Sequence, residues 1–277
     1  MRPRLVMIDL DGTLIGASLE ISAADRDAIA KAQDEGVTIC LATGRLLDAA
    51  RPFASELSLR GPIIVLQGSA IYDRADGPLA HCTPLCKATA LAAYDSLIER
   101  GFHLQLYYGD TMYLDEVDSR ARRYIEMSRV VPDVVGDLRS LLNGAAPPGP
   151  GPLKLLGIDH HSKVADTIPV LQRELGQRAS VFMSQPTYLE VTDPAANKGA
   201  ALEWVARRLG VALADTAAIG DSDNDIPMLQ IAGRSFAVAN ATRGARSAAQ
   251  SVVAGQGRNG VAQALAILLW GERDGDG

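Results

Sequence analysis

An α/β fold, with a parallel-sheet core interrupted by an inserted α+β unit, is what three features of the chain predict. Apolar segments without charge, such as Leu5-Val6-Met7-Ile8, alternate with helical patterns at the start of the chain, and that alternation implies a parallel sheet. Several of these segments end abruptly in polar side chains, where an open α/β sheet binds its ligands beyond the carboxyl ends of its strands. After about residue 83 the pattern changes to hairpin-joined strands mixed with helices, which suits an α+β unit.

Taken in order, strands are predicted near 4–9, 37–41 and 62–66, with helices near 22–35 and 46–58 between them. Ser22 followed by Asp25 reads as an N-cap with an acidic first turn, and Gly36 as the stop. The inserted unit is expected to hold helices at 87–100, 118–127 and 162–176, with strands at 102–108, 111–115, 153–158, 179–184 and 187–192. The boundaries that follow are a discontinuous core, 1–83 and 189–277, and a cap at 84–188, with chain crossings near 80–85 and 186–195 acting as hinges. Ala145-Ala146-Pro147-Pro148-Gly149-Pro150-Gly151-Pro152 is too rich in Pro and Gly for an element interior and reads as a link within the cap. Residues 271–277 read as a frayed tail.

Composition bounds the function. The chain has 277 residues, 47% apolar and 22% charged, long enough for two domains and too apolar for global disorder. A net charge of −6 and a pI near 5.3 argue against a nucleic-acid backbone binder, which needs clustered Lys and Arg. Cys40, Cys82 and Cys86 lack zinc spacing. Asp9 interrupts any signal-peptide core, and no run approaches the ~18 apolar residues of a membrane span. A cytoplasmic protein without a membrane partner, monomeric or homodimeric, is the expectation.

The chemistry concentrates in four places. Asp9 and Asp11 follow an apolar strand, two positions apart, with Gly12 permitting a sharp turn; a plain turn and cap is the alternative. Gly220-Asp221-Ser222-Asp223-Asn224-Asp225 repeats the design after Thr216-Ala217-Ala218-Ile219, although Asp223 and Asn224 also suit a helix cap. Together the two clusters put four carboxylates at one edge of one sheet, and their repulsion calls for a cation; hard oxygen ligands suit Mg²⁺. Lys198 stands at a helix start, against the dipole preference, either as a functional charge or as a solvated surface lysine. Thr43 and the N–H of Gly44, at the end of Ile39-Cys40-Leu41-Ala42, can bind a phosphate oxygen, and Thr43 alone is as consistent with an N-cap.

In this order, Asp9-Leu10-Asp11-Gly12-Thr13-Leu14, Thr43-Gly44-Arg45, Lys198 and Gly220-Asp221-Ser222-Asp223-Asn224-Asp225 resemble the four motifs of the haloacid dehalogenase superfamily of phosphohydrolases. More narrowly, the chain resembles the Cof-type branch, whose large cap is inserted between the second and third motifs. The resemblance implies a Rossmann-like core, Asp9 as a nucleophile that becomes an aspartyl phosphate, and Asp11 as general acid and base. It also implies that Mg²⁺ is bound by Asp9, the backbone carbonyl of Asp11 and Asp221, that Asn224 and Asp225 support the site, and that Thr43, Gly44 and Lys198 hold the phosphate. One position departs: the branch often carries Asn-Gly-Ala where this chain reads Gln67-Gly68-Ser69, so the role of Gln67 is open.

The expected activity is Mg²⁺-dependent hydrolysis of a small phosphorylated metabolite, a sugar, polyol or cofactor-type phosphate monoester. An acid at position 11 suits a hydrolase, which must supply and then accept a proton; expelling a halide needs none. The alternatives are a phosphotransferase or phosphomutase using the same intermediate, and a non-catalytic phospho-ligand sensor. Specificity is expected in the cap, with Tyr107, Tyr108, Lys154, His160, His161 and Lys163 as candidates. A metal on His160-His161 is rejected because adjacent strand residues face opposite sides.

Overall fold

The computed structural model describes residues 2–145 and 149–271. Residues 146–148 of the Pro/Gly-rich segment and 272–277 of the expected tail lie outside the described residues. The strands, in chain order, are β1 (Leu5–Asp9), β2 (Thr38–Ala42), β3 (Ile63–Val65), β4 (Ala70–Tyr72), β5 (Leu79–Cys82), β6 (His103–Tyr108), β7 (Thr111–Leu114), β8 (Asp133–Val134), β9 (Pro152–Ile158), β10 (Ser180–Gln185), β11 (Tyr188–Thr192), β12 (Thr216–Gly220), β13 (Arg234–Val238) and β14 (Ser251–Val253). The helices are α1 (Ala23–Asp34), α2 (Leu47–Glu56), α3 (Lys87–Glu99), α4 (Ser119–Ser128), α5 (Leu138–Ser140), α6 (His161–Leu175), α7 (Lys198–Arg208), α8 (Ile226–Ile231), α9 (Arg243–Ala248) and α10 (Gly260–Leu265).

The chain forms two compact units, one of residues 1–44, 50–80 and 197–277, the other of residues 45–49 and 81–196. The sequence reading places the second domain boundary at 188/189, within a crossing near 186–195. In the structure β11 pairs antiparallel with both β9 and β10, so the chain stays in the second unit until after Thr192.

The first unit is built on an eight-stranded sheet in the order β14-β13-β12-β1-β2-β3-β4-β5. β1 pairs in parallel with β12 on one side and β2 on the other. Leu5, Val6, Met7 and Ile8 are fully buried, each such side chain stabilising by about 1.5–3 kcal/mol. Chain order reverses at β1, since β2 leaves to one side and β12 arrives on the other, and a switch point of this kind opens a crevice at the strand ends. Ser22 accepts from the Asp25 N–H at the start of α1, as expected, and Gly36 takes φ +85° just beyond it. The sequence pattern did not reveal β4, β5, β13 and β14. Leu66, Gln67 and Gly68 all adopt left-handed backbone, which turns the chain back so that β4 pairs antiparallel with β3.

The second unit carries a six-stranded sheet, β10-β11-β9-β6-β7-β8. Its pairs are antiparallel except β7 with β8. Alternation along the strands separates two faces. Leu104, Leu106, Tyr108, Leu155, Leu189 and Val191 form one core with Ala93 and Leu97 of α3 and Val164 and Leu171 of α6. The opposite positions carry Gln105, Tyr107, Lys154, Glu190 and Thr192, all buried. Among the described residues no helix is long and apolar enough to cross a membrane.

Candidate active site

Two loops of the first unit, after the neighbouring strands β1 and β12, deliver the acids. β1 ends in Asp9, which is 4% exposed. Its Oδ1 accepts a 2.5 Å hydrogen bond from Lys198 Nζ, while its buried Oδ2 has no hydrogen-bond partner among the described residues. Lys198 opens α7, after Asn197 caps that helix by accepting from the Ala200 N–H at 2.9 Å. At 1% exposure it is no surface lysine; its ammonium also donates to Asp225 Oδ1 at 2.6 Å.

Asp225 is fully buried and uses both oxygens. Oδ2 accepts the backbone N–H groups of Asp221 and Ser222, each at 2.9 Å, so it braces the loop and holds Lys198. Gly220 makes room for it, because a Cβ there would lie 2.6 Å from Asp225 Cβ. Asp223 and Asn224, each also readable as a helix cap, bond elsewhere: Asp223 Oδ1 accepts from the Thr242 hydroxyl at 2.6 Å, and Asn224 Nδ2 donates to Gln67 Oε1 at 2.8 Å.

Asp221 follows β12, its Oδ1 accepting from the Ser222 hydroxyl at 3.1 Å. It comes so close to the first loop that a Cβ on Gly12 would stand 2.3 Å from its Oδ2, and Gly12 has φ +92°. Only glycine tolerates both conditions. Carboxylate oxygens of Asp9, Asp221 and Asp225 lie within 4.8 Å of one another. Burial, then the Asp225 charge, pushes Asp9 well above the ordinary carboxylate range. The same two causes raise Asp221 to about 6. Burial works against the charge on Lys198, but Asp225 and Asp9 outweigh it and hold the ammonium.

This donor set fits a hard divalent cation. It offers three crowded carboxylates against one ammonium, one orphaned buried carboxylate oxygen, and a close approach that a Cβ would block.

Asp11 is partly exposed and accepts a long, 3.4 Å hydrogen bond from the hydroxyl of Thr43, which is itself buried. Gln67 stands between the second and fourth segments. Besides its bond from Asn224, its Nε2 would lie 2.5 Å from a Cβ on Gly44. The Gln67 side chain thus packs against Gly44 while bonding to the acidic loop. Two further residues, Asn240 and Thr242, bond to the acidic loops and were missed in the sequence. They follow the buried run Ser235-Phe236-Ala237-Val238, so the criterion of a polar side chain just past a buried strand would have found them.

The six residues proposed for the cap do not form one site. Tyr107 donates from its hydroxyl to Gln105 Oε1 at 2.7 Å and shares a 2.8 Å bond with the Tyr124 hydroxyl. Lys154 Nζ lies 3.4 Å from Glu190 Oε2 and 4.5 Å from the Tyr107 ring centroid. Tyr108 packs on the opposite, apolar face. Lys163 pairs with Asp159 at 2.9 Å. His160 and His161 are not strand residues, which corrects the geometry assumed for them: His160 is the N-cap of α6 and His161 its first residue, its Nδ1 3.1 Å from the Pro186 carbonyl.

Comparison with known proteins identifies the family. The family profile described as haloacid dehalogenase-like hydrolase matches residues 6–265. The HMP-PP phosphatase of Cronobacter sakazakii is 29% identical over 238 residues, covering 86% of this chain and 85% of that protein. The pyridoxal phosphate phosphatase YbhA of Escherichia coli is 26% identical over 271 residues, covering 95% and 97%. Among solved structures, TM0651 from Thermotoga maritima superposes with a TM-score of 0.82 at 27% identity, covering 95% of this chain and 96% of that one.

Proposed function

The chain belongs to the haloacid dehalogenase-like hydrolases, as a phosphatase of their Cof-type branch, and we propose that it hydrolyses a small phosphate monoester through a phosphorylated Asp9. The observation that carries this reading is the orphaned Asp9 Oδ2, buried at a sheet switch point beside Asp221 and fixed through its other oxygen by Lys198. Asp9, Asp221 and the Asp11 carbonyl would hold Mg²⁺, whose positive charge would let the phosphate dianion and the Asp9 carboxylate approach one another.

The chain's own groups do the rest. Lys198 neutralises one Asp9 oxygen, and Thr43 with the Gly44 N–H receives phosphate oxygens. Asp9 forms a bond to phosphorus as the bond to the leaving oxygen breaks, and the Asp11 carboxyl gives that oxygen its proton. Asp11, now ionised, takes a proton from a water attacking the same phosphorus; the bond to Asp9 breaks and inorganic phosphate leaves. Asp11 is less buried than Asp9, which suits a group that must exchange a proton with water.

The substrate is a sugar, polyol or cofactor-type phosphate; relatives named for HMP-PP and pyridoxal phosphate support the cofactor-type part of that class. Release of phosphate from p-nitrophenyl phosphate and from a panel of such metabolites, with and without EDTA, tests the reading. Hydrolysis that survives full removal of divalent cations would overturn it.

A further inference from the structure

We propose that the turn Ala239–Thr242, which belongs to none of the four motif segments, is the positioning element of the cation site, with Asn240 and Thr242 fixing the distance between the two acidic loops. This rests on the magnesium reading above. Asn240 Nδ2 donates to the Gly12 carbonyl at 2.8 Å, and its Oδ1 accepts the Gln256 N–H at 2.7 Å, so both ends of the amide are committed and its orientation is set. Thr242 donates its backbone N–H to the Asp221 carbonyl at 2.7 Å and its hydroxyl to Asp223 Oδ1 at 2.6 Å. The same hydroxyl accepts from the Ala245 N–H at 3.1 Å.

Sheet order shows why these bonds are more than ordinary closure of a strand. In the order β14-β13-β12-β1, β13 neighbours β12 and β14 but not β1. No backbone ladder joins β13 to the loop after β1, so the turn after β13 reaches past the end of β12 to bring the Asn240 side chain to Gly12. It grips the residue where the two loops touch, since Gly12 is the one whose Cβ would collide with Asp221. The loops carry carboxylates that repel, and repulsion favours splaying. A brace holding the Gly12 and Asp221 carbonyls from one turn opposes that and keeps the oxygens at the separation a small cation requires. Asn240 and Thr242 touch none of the reacting atoms.

The test uses the full-length protein stripped of divalent ions, titrated calorimetrically with MgCl₂, alongside melting of the metal-free protein and the dependence of turnover on Mg²⁺. Supporting groups behind metal ligands typically contribute 10–100-fold in affinity. Asn240→Ala is therefore expected to weaken Mg²⁺ binding about tenfold, with turnover recovering at saturating Mg²⁺ and KM for substrate unchanged. Thr242→Val should weaken binding severalfold, and Thr242→Ser, which keeps the hydroxyl, should restore it. A merely structural role would lower the melting temperature and leave Mg²⁺ affinity alone. Affinity within twofold of wild type in Asn240→Ala overturns the proposal; if that variant does not fold, the same result in Thr242→Val does. Absence of Mg²⁺ binding to the wild-type protein would instead sink the functional reading on which this one stands.

Discussion

The eight-stranded sheet gathers Asp9, Asp221, Asp225 and Lys198 at its strand ends, three carboxylates to one ammonium. The six-stranded sheet buries Lys154 and Glu190 in the middle of one face, one to one. Burial opposes the charge on both lysines. At Lys198 two carboxylates at 2.5 and 2.6 Å overcome it and raise the ammonium above its ordinary range. At Lys154 a single carboxylate 3.4 Å away does not, and burial holds that lysine below its ordinary range. A buried charge set that balances internally is a structural matter; one left negative after its own lysine is counted calls for a partner from solution.

The sharpest way to break this contrast is Asp9→Asn. Turnover should fall about 10⁴-fold or more and rapid-quench trapping should find no phosphoenzyme, while the cation-free protein should melt higher because one crowded carboxylate is gone. A lower melting temperature would mean that repulsion is not what the site stores.

Lys198→Met strands Asp9 and Asp225 without their counter-charge, and should cost about 3–5 kcal/mol in urea unfolding besides abolishing activity. In the second unit, Lys154→Met should cost less, about 3 kcal/mol, and the double change Lys154→Met with Glu190→Leu should return most of it, since an internally balanced pair can be replaced by apolar groups. Failure of the double variant to recover would show that the pair is needed for something other than mutual neutrality.

A smaller effect separates the two sheets by pH. With Asp221 raised to about 6 by burial first and Asp225 second, against about 3.9 when unfolded, the folded protein binds that proton more tightly. The resulting stability is complete below about pH 4 and is lost as pH rises through about 6. Mg²⁺ competes for the same oxygens, so the gain in melting temperature on adding MgCl₂ should be larger at pH 7.5 than at pH 5; equal gains would remove Asp221 from the cation site. Smallest of all, Gln67→Asn should shorten the link to Asn224, costing about 1 kcal/mol and lowering kcat/KM severalfold.

Much of the site was legible beforehand because its acids follow apolar runs, and the strand period by itself places such residues at a sheet edge. Ser22 and Gly36 bounded α1 for equally local reasons. β4 escaped because three residues, Ala70–Tyr72, offer no period to read, and its direction depends on the left-handed backbone at Leu66 and Gln67. The His160-His161 geometry was misjudged because the end of β9 and the start of α6 fall within a few residues of one another.

What the amino-acid sequence determined alone was the longer elements and the chemistry at their ends, since side-chain period, caps and glycine turns act within a few residues. Tertiary structure alone decided which of those ends meet. That Lys198 joins Asp9 to Asp225, that Gln67 packs against Gly44 while bonding to Asn224, and that Asn240 reaches past the end of β12 to Gly12 all follow from strand order. Strand order is set by how whole faces of helices and sheet bury one another, and no local stretch of chain encodes it.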